Sequence, residues 1–181
     1  QIHEIFHEYT DMIEPLALDE AFLDVTKNKK NIPLAVDVAR EIKKEIKEKL
    51  GLVASAGISY NKFLAKIASD YKKPDGLYTI HPDRAPAFIS KLPIEAFWGI
   101  GKVTARKMHS LGIHTGADLK KCTLTFLTRN FGKAGTLYHD FANGIDPRMV
   151  TPERIRKSVG CESTFENDLT NYIAVIIELY H

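Results

Sequence analysis

The stretch Leu16-Ala17-Leu18-Asp19-Glu20-Ala21-Phe22-Leu23-Asp24-Val25 restricts the fold more than any other in the chain. Two adjacent carboxylates, Asp19 and Glu20, lie inside an otherwise apolar run. Neighbouring side chains of a regular strand point to opposite faces, so both acids serve one site only where the chain bends, as at the tip of a β-hairpin. Burying either anion alone is costly, so a cation is expected close by. Read alone, the pair fits equally well as polar turn residues between two strands.

The elements around this stretch follow from periodicity. Ile2, Ile5, Phe6, Tyr9 and Ile13 recur at helical steps, and Pro15 ends that helix. A second helix starts near Asn31 and Pro33, carries Val38, Ile42, Ile46 and Leu50 on one stripe, and closes at Gly51. Residues 52–58 are expected as a small-residue strand with both faces covered, Gly57 marking close backbone packing. A helix over Asn61–Tyr71 and a strand over Leu77–Ile80 follow, separated by the turn cluster Lys72-Lys73-Pro74-Asp75-Gly76. That order implies one sheet, antiparallel or mixed, with helices on a face. Lys73 becomes the missing cation if the sheet brings it to the hairpin tip, where it could bind a polyphosphate beside a metal. By itself it is an ordinary solvated loop lysine.

Charge is unevenly spread. Residues 1–25 hold seven acids and no lysine or arginine, whereas all 25 basic residues fall within residues 26–160. A polyanion partner beside a cation site would explain this, but solvated surface explains the charge pattern alone. Cys122 and Cys161 are too few and too distant for a disulfide framework or a four-cysteine zinc site, and the seven histidines show no metal-ligand spacing. The longest aliphatic run, Ile173–Ile177, is far too short to span a bilayer, and the default compartment is the cytosol.

After Ile80 the chain reads as all helical. Trp98-Gly99-Ile100-Gly101-Lys102 is a tight turn opening a helix, with Lys102, Arg106 and Lys107 around its start. Glycines admit an anion to backbone N–H groups, and a helix N-terminus adds positive potential. This is the form of a helix-hairpin-helix, which grips nucleic-acid phosphates without reading bases. Phe131-Gly132-Lys133-Ala134-Gly135-Thr136 is a weaker second copy, equally readable as a packing turn. Val159, Cys161, Ser163 and Phe165 alternate as in a strand, and Tyr172–Leu179 is apolar enough to need a partner.

Leu18-Asp19-Glu20-Ala21-Phe22-Leu23-Asp24-Val25, Ala56-Gly57-Ile58-Ser59 through Lys62, Ala65-Lys66-Ile67-Ala68-Ser69-Asp70, Lys73-Pro74-Asp75-Gly76 and Gly99-Ile100-Gly101, in this order, resemble the Y-family DNA polymerases. The resemblance implies an α+β chain: part of a palm over residues 1–80, a helix-hairpin-helix thumb over 81–147, and a linker with the start of an α/β little finger over 148–181. It implies that Asp19 and Glu20 are catalytic and coordinate two Mg²⁺ ions, and that Lys73 binds the incoming nucleotide's triphosphate. Gly99, Ile100, Gly101, Lys102 and Arg106 would hold DNA, as would Arg154, Arg156 and Lys157 in the linker. Primer-template DNA and deoxynucleoside triphosphates are the implied partners, with no membrane, and a sliding clamp is left open. The family carries a further metal-binding aspartate on a strand expected before Gln1, so this chain alone is expected to catalyse little. Ala17 stands where the family usually has serine. A non-catalytic DNA-binding module, or a nuclease or repair protein, remains the alternative. Apolar surface at the first helix and at Tyr172–Leu179 predicts self-association or disorder at one terminus.

Overall fold

Helix α1 (Ile2–Tyr9) and helix α2 (Ala35–Leu50) form where the apolar period is strongest, and they bury Ile5, Tyr9, Val38, Ile42 and Ile46 against each other. The computed structural model describes residues 1–153, 159–160, 164–165, 168 and 171–179. Gly51 ends α2 at φ +68, the left-handed conformation in which glycine carries no Cβ penalty. Between the two helices runs an antiparallel ladder of β1 (Ile13–Pro15) and β2 (Ala21–Leu23), pairing Ile13 with Leu23 and Glu14 with Phe22.

A parallel unit follows: β3 (Ala56–Ile58), α3 (Lys62–Tyr71) and β4 (Leu77–Thr79), with Gly57 opposite Tyr78. Asn61 caps α3 by accepting from Leu64 N–H. Gly57 is required because α3 crosses directly over it. A Cβ there would sit 2.1 Å from both the Ala65 carbonyl oxygen and the Ser69 nitrogen.

The expected single sheet is instead two separate two-stranded ladders among the described residues. Each strand is only three residues long, and the hairpin reaches α3 through lysine side chains rather than through backbone hydrogen bonds. Leu52 and Val53 stay exposed instead of extending β3. The α+β class stands, with small sheets and helices on one chain.

Beyond Ile80 come α4 (Ala85–Lys91), α5 (Lys102–Ser110), α6 (Gly116–Lys121), α7 (Leu124–Phe131) and α8 (Lys133–Ala142), with 3-10 turns at Pro82–Arg84 and Ile94–Ala96. Their core includes Ile89, Phe97, Met108, Leu119, Leu127 and Phe141, and it is continuous with Phe63, Leu64 and Ile67 of α3. Phe63 stacks on Phe141 at 3.9 Å between centroids. One helix therefore serves both the helical core and the β-ladders, and this fixes their relative placement.

The segment after α8 is stitched back onto the same helix. Gly144 O accepts from Tyr60 Oη and Asn61 Nδ2, and buried Asp146 accepts from Phe63 N–H and from Arg148. Thr151 N–H donates to Glu14 at 2.7 Å. The last described element is α9 (Tyr172–Leu179), on which Tyr172 and Ile173 are exposed. The middle of the expected strand over Val159–Phe165, residues 161–163, lies outside the described residues.

Candidate active site

The bend that the sequence demands is present. Leu16 N–H and Ala17 N–H both donate to Glu20 O, at 2.8 and 3.2 Å, closing a turn between β1 and β2. Asp19 is exposed at its tip and Glu20 is half-buried, while Leu18 projects fully into solvent. The cation near this pair is Lys66, whose ammonium lies 3.2 Å from Glu20 Oε1 and 2.7 Å from Asp70 Oδ2. Asp70 Oδ1 in turn lies 2.6 Å from Lys73 Nζ. Glu20, Lys66, Asp70 and Lys73 thus form one chain of alternating charge, joining the hairpin tip to the loop after α3.

Electrostatics follow from this chain. Burial opposes the charged form of Lys66, but Asp70 and Glu20 outweigh it and hold the ammonium above its ordinary range. Burial likewise works against the Asp70 carboxylate, yet Lys66 and then Lys73 keep it below the usual carboxylate range. Both groups stay ionised at neutral pH. Lys73, expected as the cation only if the sheet brings it to the hairpin tip, is joined to Glu20 through Lys66 and Asp70, whose i,i+4 spacing is the signal present in the sequence.

Among the described residues no cluster of three or more His, Cys, Asp or Glu side chains is assembled for a metal ion. Asp19 and Glu20 nevertheless suit a hard divalent cation, since Mg²⁺ is commonly held by one or two carboxylates together with substrate phosphates.

The second part of the site is the loop before α5. Gly99 has φ +86 and Gly101 stands at the helix N-cap, and a Cβ on either would meet nothing within 4 Å. Their backbone is therefore open to a close-approaching ligand. Ile100 is buried and anchors the loop, while Lys102 and Arg106 are exposed beside it. Lys107 turns away, donating to Asn130 O and lying 5.0 Å over the Phe131 ring. In the second glycine pair Gly135 is a packing device, since a Cβ on it would sit 2.3 Å from Leu127 O, while a Cβ on Gly132 would meet nothing within 4 Å. Arg154, Arg156 and Lys157 lie outside the described residues.

Lys66 and Asp70 of the charge chain and Gly99 of the loop line one cleft of about 400 Å³, together with Tyr71, Glu95 and Trp98, whereas Asp19, Glu20 and Lys73 are not among its walls. A neighbouring cleft of about 420 Å³ lies over Glu14, Lys62, Trp98 and Arg148. Glu14 and Lys62 form a buried ion pair there, and Arg148 stacks on Trp98 at 4.5 Å. The sequence gives no sign of the Glu14–Lys62 pair or of the Arg148 stacking, because the partners are distant along the chain.

Comparison with known proteins bears on this arrangement. The family model described as the impB/mucB/samB family matches residues 1–70, and that of the IMS family HHH motif matches residues 82–113. DNA polymerase IV of Bacteroides fragilis (strain YCH46) is 67% identical over 181 residues, covering 100% of this chain and 50% of its own length. DNA polymerase IV of Akkermansia muciniphila is 64% identical over 170 residues, covering 94% of this chain and 47% of its own length. The chain spans about half the length of the curated relatives it matches. Among solved structures, DinB from Sulfolobus solfataricus superposes with a TM-score of 0.75 at 35% identity, over 82% of this chain and 44% of its own. An insertion ternary complex of Dbh DNA polymerase gives 0.73 at 36% identity, over 79% and 42%.

Proposed function

Since the chain belongs to the Y family of DNA polymerases, we propose that it carries the paired carboxylates, the triphosphate-binding lysine and the DNA-gripping loop of an error-prone polymerase that copies damaged templates. In this reading residues 1–80 belong to the palm, 81–147 to the thumb, and 148–181 to the linker and the start of the little finger. One observation supports it: Lys66 and Asp70, the middle of the charge chain that runs from Glu20 to Lys73, line one cleft together with Gly99 of the glycine loop.

Asp19 and Glu20 would hold two Mg²⁺ ions, as the family's chemistry requires. When bound, such ions activate the primer 3′-hydroxyl and neutralise the pyrophosphate leaving group. The chain's own residues do the positioning. Lys66 holds the Glu20 carboxylate toward the cleft. Lys73 meets the triphosphate of the incoming deoxynucleotide as a point charge. The N–H groups at Gly99 and Gly101, with Lys102 and Arg106, take successive DNA phosphates, which fixes the position of a duplex without reading its sequence. Arg154, Arg156 and Lys157 extend that grip along the backbone.

The test is primer extension with Mg²⁺ and all four deoxynucleotides, using a polypeptide of the relatives' full length. Extension is expected there and should vanish with Asp19→Asn or Glu20→Gln, while residues 1–181 alone should extend little. Lys102→Glu should weaken DNA binding and lower its salt dependence. Absence of extension at full length, or cleavage of labelled DNA in its place, overturns the reading.

A further inference from the structure

The lysine that would meet the triphosphate is itself held loosely. Lys73 is 53% exposed, and its surface pair with Asp70 contributes little on its own. Its place is set by the backbone of the loop on which it stands, and that loop is fastened from a distant helix. Lys43 of α2 donates to Asp75 O at 2.7 Å and to Gly76 O at 2.9 Å, and its ammonium lies 2.9 Å from Asp75 Oδ1. An ammonium has three protons, and here it finds three acceptors within two residues. Ser55 Oγ completes the fastening by accepting from Gly76 N–H at 3.0 Å.

Lys43 differs from the other lysines of its helix. Its side chain is 14% exposed, against 70% for Lys44 and 50% for Lys49, which pair along the helix surface or with α1. A lysine drawn into cover to bind two carbonyls has a stronger local role than charge balance. We propose that Lys43 is a positioning residue for the nucleotide triphosphate: by anchoring Asp75 and Gly76 it sets where Lys73 presents its ammonium. This rests on the polymerase reading above. Lys43 touches no reacting atom; it acts through the loop.

The experiment is steady-state primer extension with varied deoxynucleotide, in the full-length polypeptide, comparing wild type with Lys43→Met, Lys43→Arg and Lys49→Met. Lys43→Met should raise the nucleotide KM about tenfold while kcat stays within about threefold, since displacement of a remote support degrades ground-state alignment. Lys43→Arg, which keeps charge and donors, should recover most of the loss. Lys49→Met removes ion pairs from the same helix without touching the loop and should leave KM unchanged. Ser55→Ala loosens the same loop by another route and should raise KM in the same direction, which keeps the test decisive if Lys43→Met folds poorly. A KM rise in Lys43→Met no larger than in Lys49→Met, or a loss confined to primer-template affinity, overturns the proposal. A wild type that extends no primer sinks the polymerase reading, and this inference with it.

Discussion

Trp98 meets Phe22 at 5.5 Å between ring centroids, so the residue just before the Gly99 loop rests on the strand that leaves Glu20. The same indole carries the Arg148 guanidinium at 4.5 Å. The glycine loop proposed to hold DNA and the hairpin that presents the carboxylates thus share one aromatic contact, reinforced by the segment after α8. The distance between that loop and the acidic tip is thereby set by packing rather than by a flexible tether.

Trp98→Ala should lower stability by about 2–3 kcal/mol, through lost burial together with the lost aromatic and cation–π contacts. Trp98→Phe should recover most of this. Urea denaturation of the two variants measures the difference, and equal midpoints would show that the indole bears no such load.

The glycines separate fold from function. Gly57→Ala places a methyl 2.1 Å from backbone atoms of α3, and neither partner can move without shifting the helix. A loss of about 3 kcal/mol or more is expected, with aggregation on expression as the visible sign. Gly101 has φ −80 and open space around it, so Gly101→Ala should leave the thermal midpoint within about 1 °C, since less than about 0.5 kcal/mol is at stake. The added methyl would nevertheless stand where a phosphate must approach. DNA affinity by fluorescence anisotropy should therefore fall for Gly101→Ala with stability unchanged.

Much of this was legible in the residues. The periods of α1 up to Tyr9, of α2 and of α3, the close approach at Gly57 and the bend at Asp19-Glu20 all have local causes, whereas Ile13, in phase with the first helix, and Pro15, expected to end it, belong to β1. What stayed hidden has non-local causes. Leu52 and Val53 read as strand because a short apolar run does not distinguish a strand from an exposed connection. Three-residue strands carry too little pattern to announce their partners, so two ladders were taken for one sheet. Lys62 is brought to Glu14 across 48 residues only by the fold. Lys66 was visible as an i,i+4 partner of Asp70, whereas its reach to Glu20 depends on where the hairpin docks.

Acid and alkali should loosen the chain at the same place. Glu45 accepts from Lys49, Tyr9 and Lys30, and these partners depress its carboxyl from 4.5 to about 2. Burial, then the hydrogen bond to Glu45, pushes Tyr9 from 10.0 up to about 12. A depressed acid contributes stability that is complete above its unfolded value and lost as pH falls through the folded one. A raised phenol contributes stability that is complete below its unfolded value and lost as pH rises through the folded one. Packing of α1 on α2 should accordingly weaken between pH 4.5 and about 2, and again between 10.0 and about 12. Glu45→Gln should flatten part of the acid limb of a plot of thermal midpoint against pH. An acid limb identical to wild type would contradict this.

The buried pair of Glu14 and Lys62 makes the sharpest demand on stability. Their side chains are 6% and 8% exposed, and Glu14 also receives Thr151 N–H, so one carboxylate ties β1 to α3 and to the segment after α8. Removing the lysine as Lys62→Met takes the ammonium away from a buried carboxylate and should cost about 3–5 kcal/mol. The double variant Glu14→Leu/Lys62→Met removes both charges together, so its loss should be well below the sum of the two single losses. The Thr151 N–H then lacks its acceptor, and the double variant should still lie below wild type by about 1–2 kcal/mol. Denaturation of all four proteins closes the cycle; additive losses would mean that the two charges are stabilised independently and that the pair does not hold the hairpin to α3.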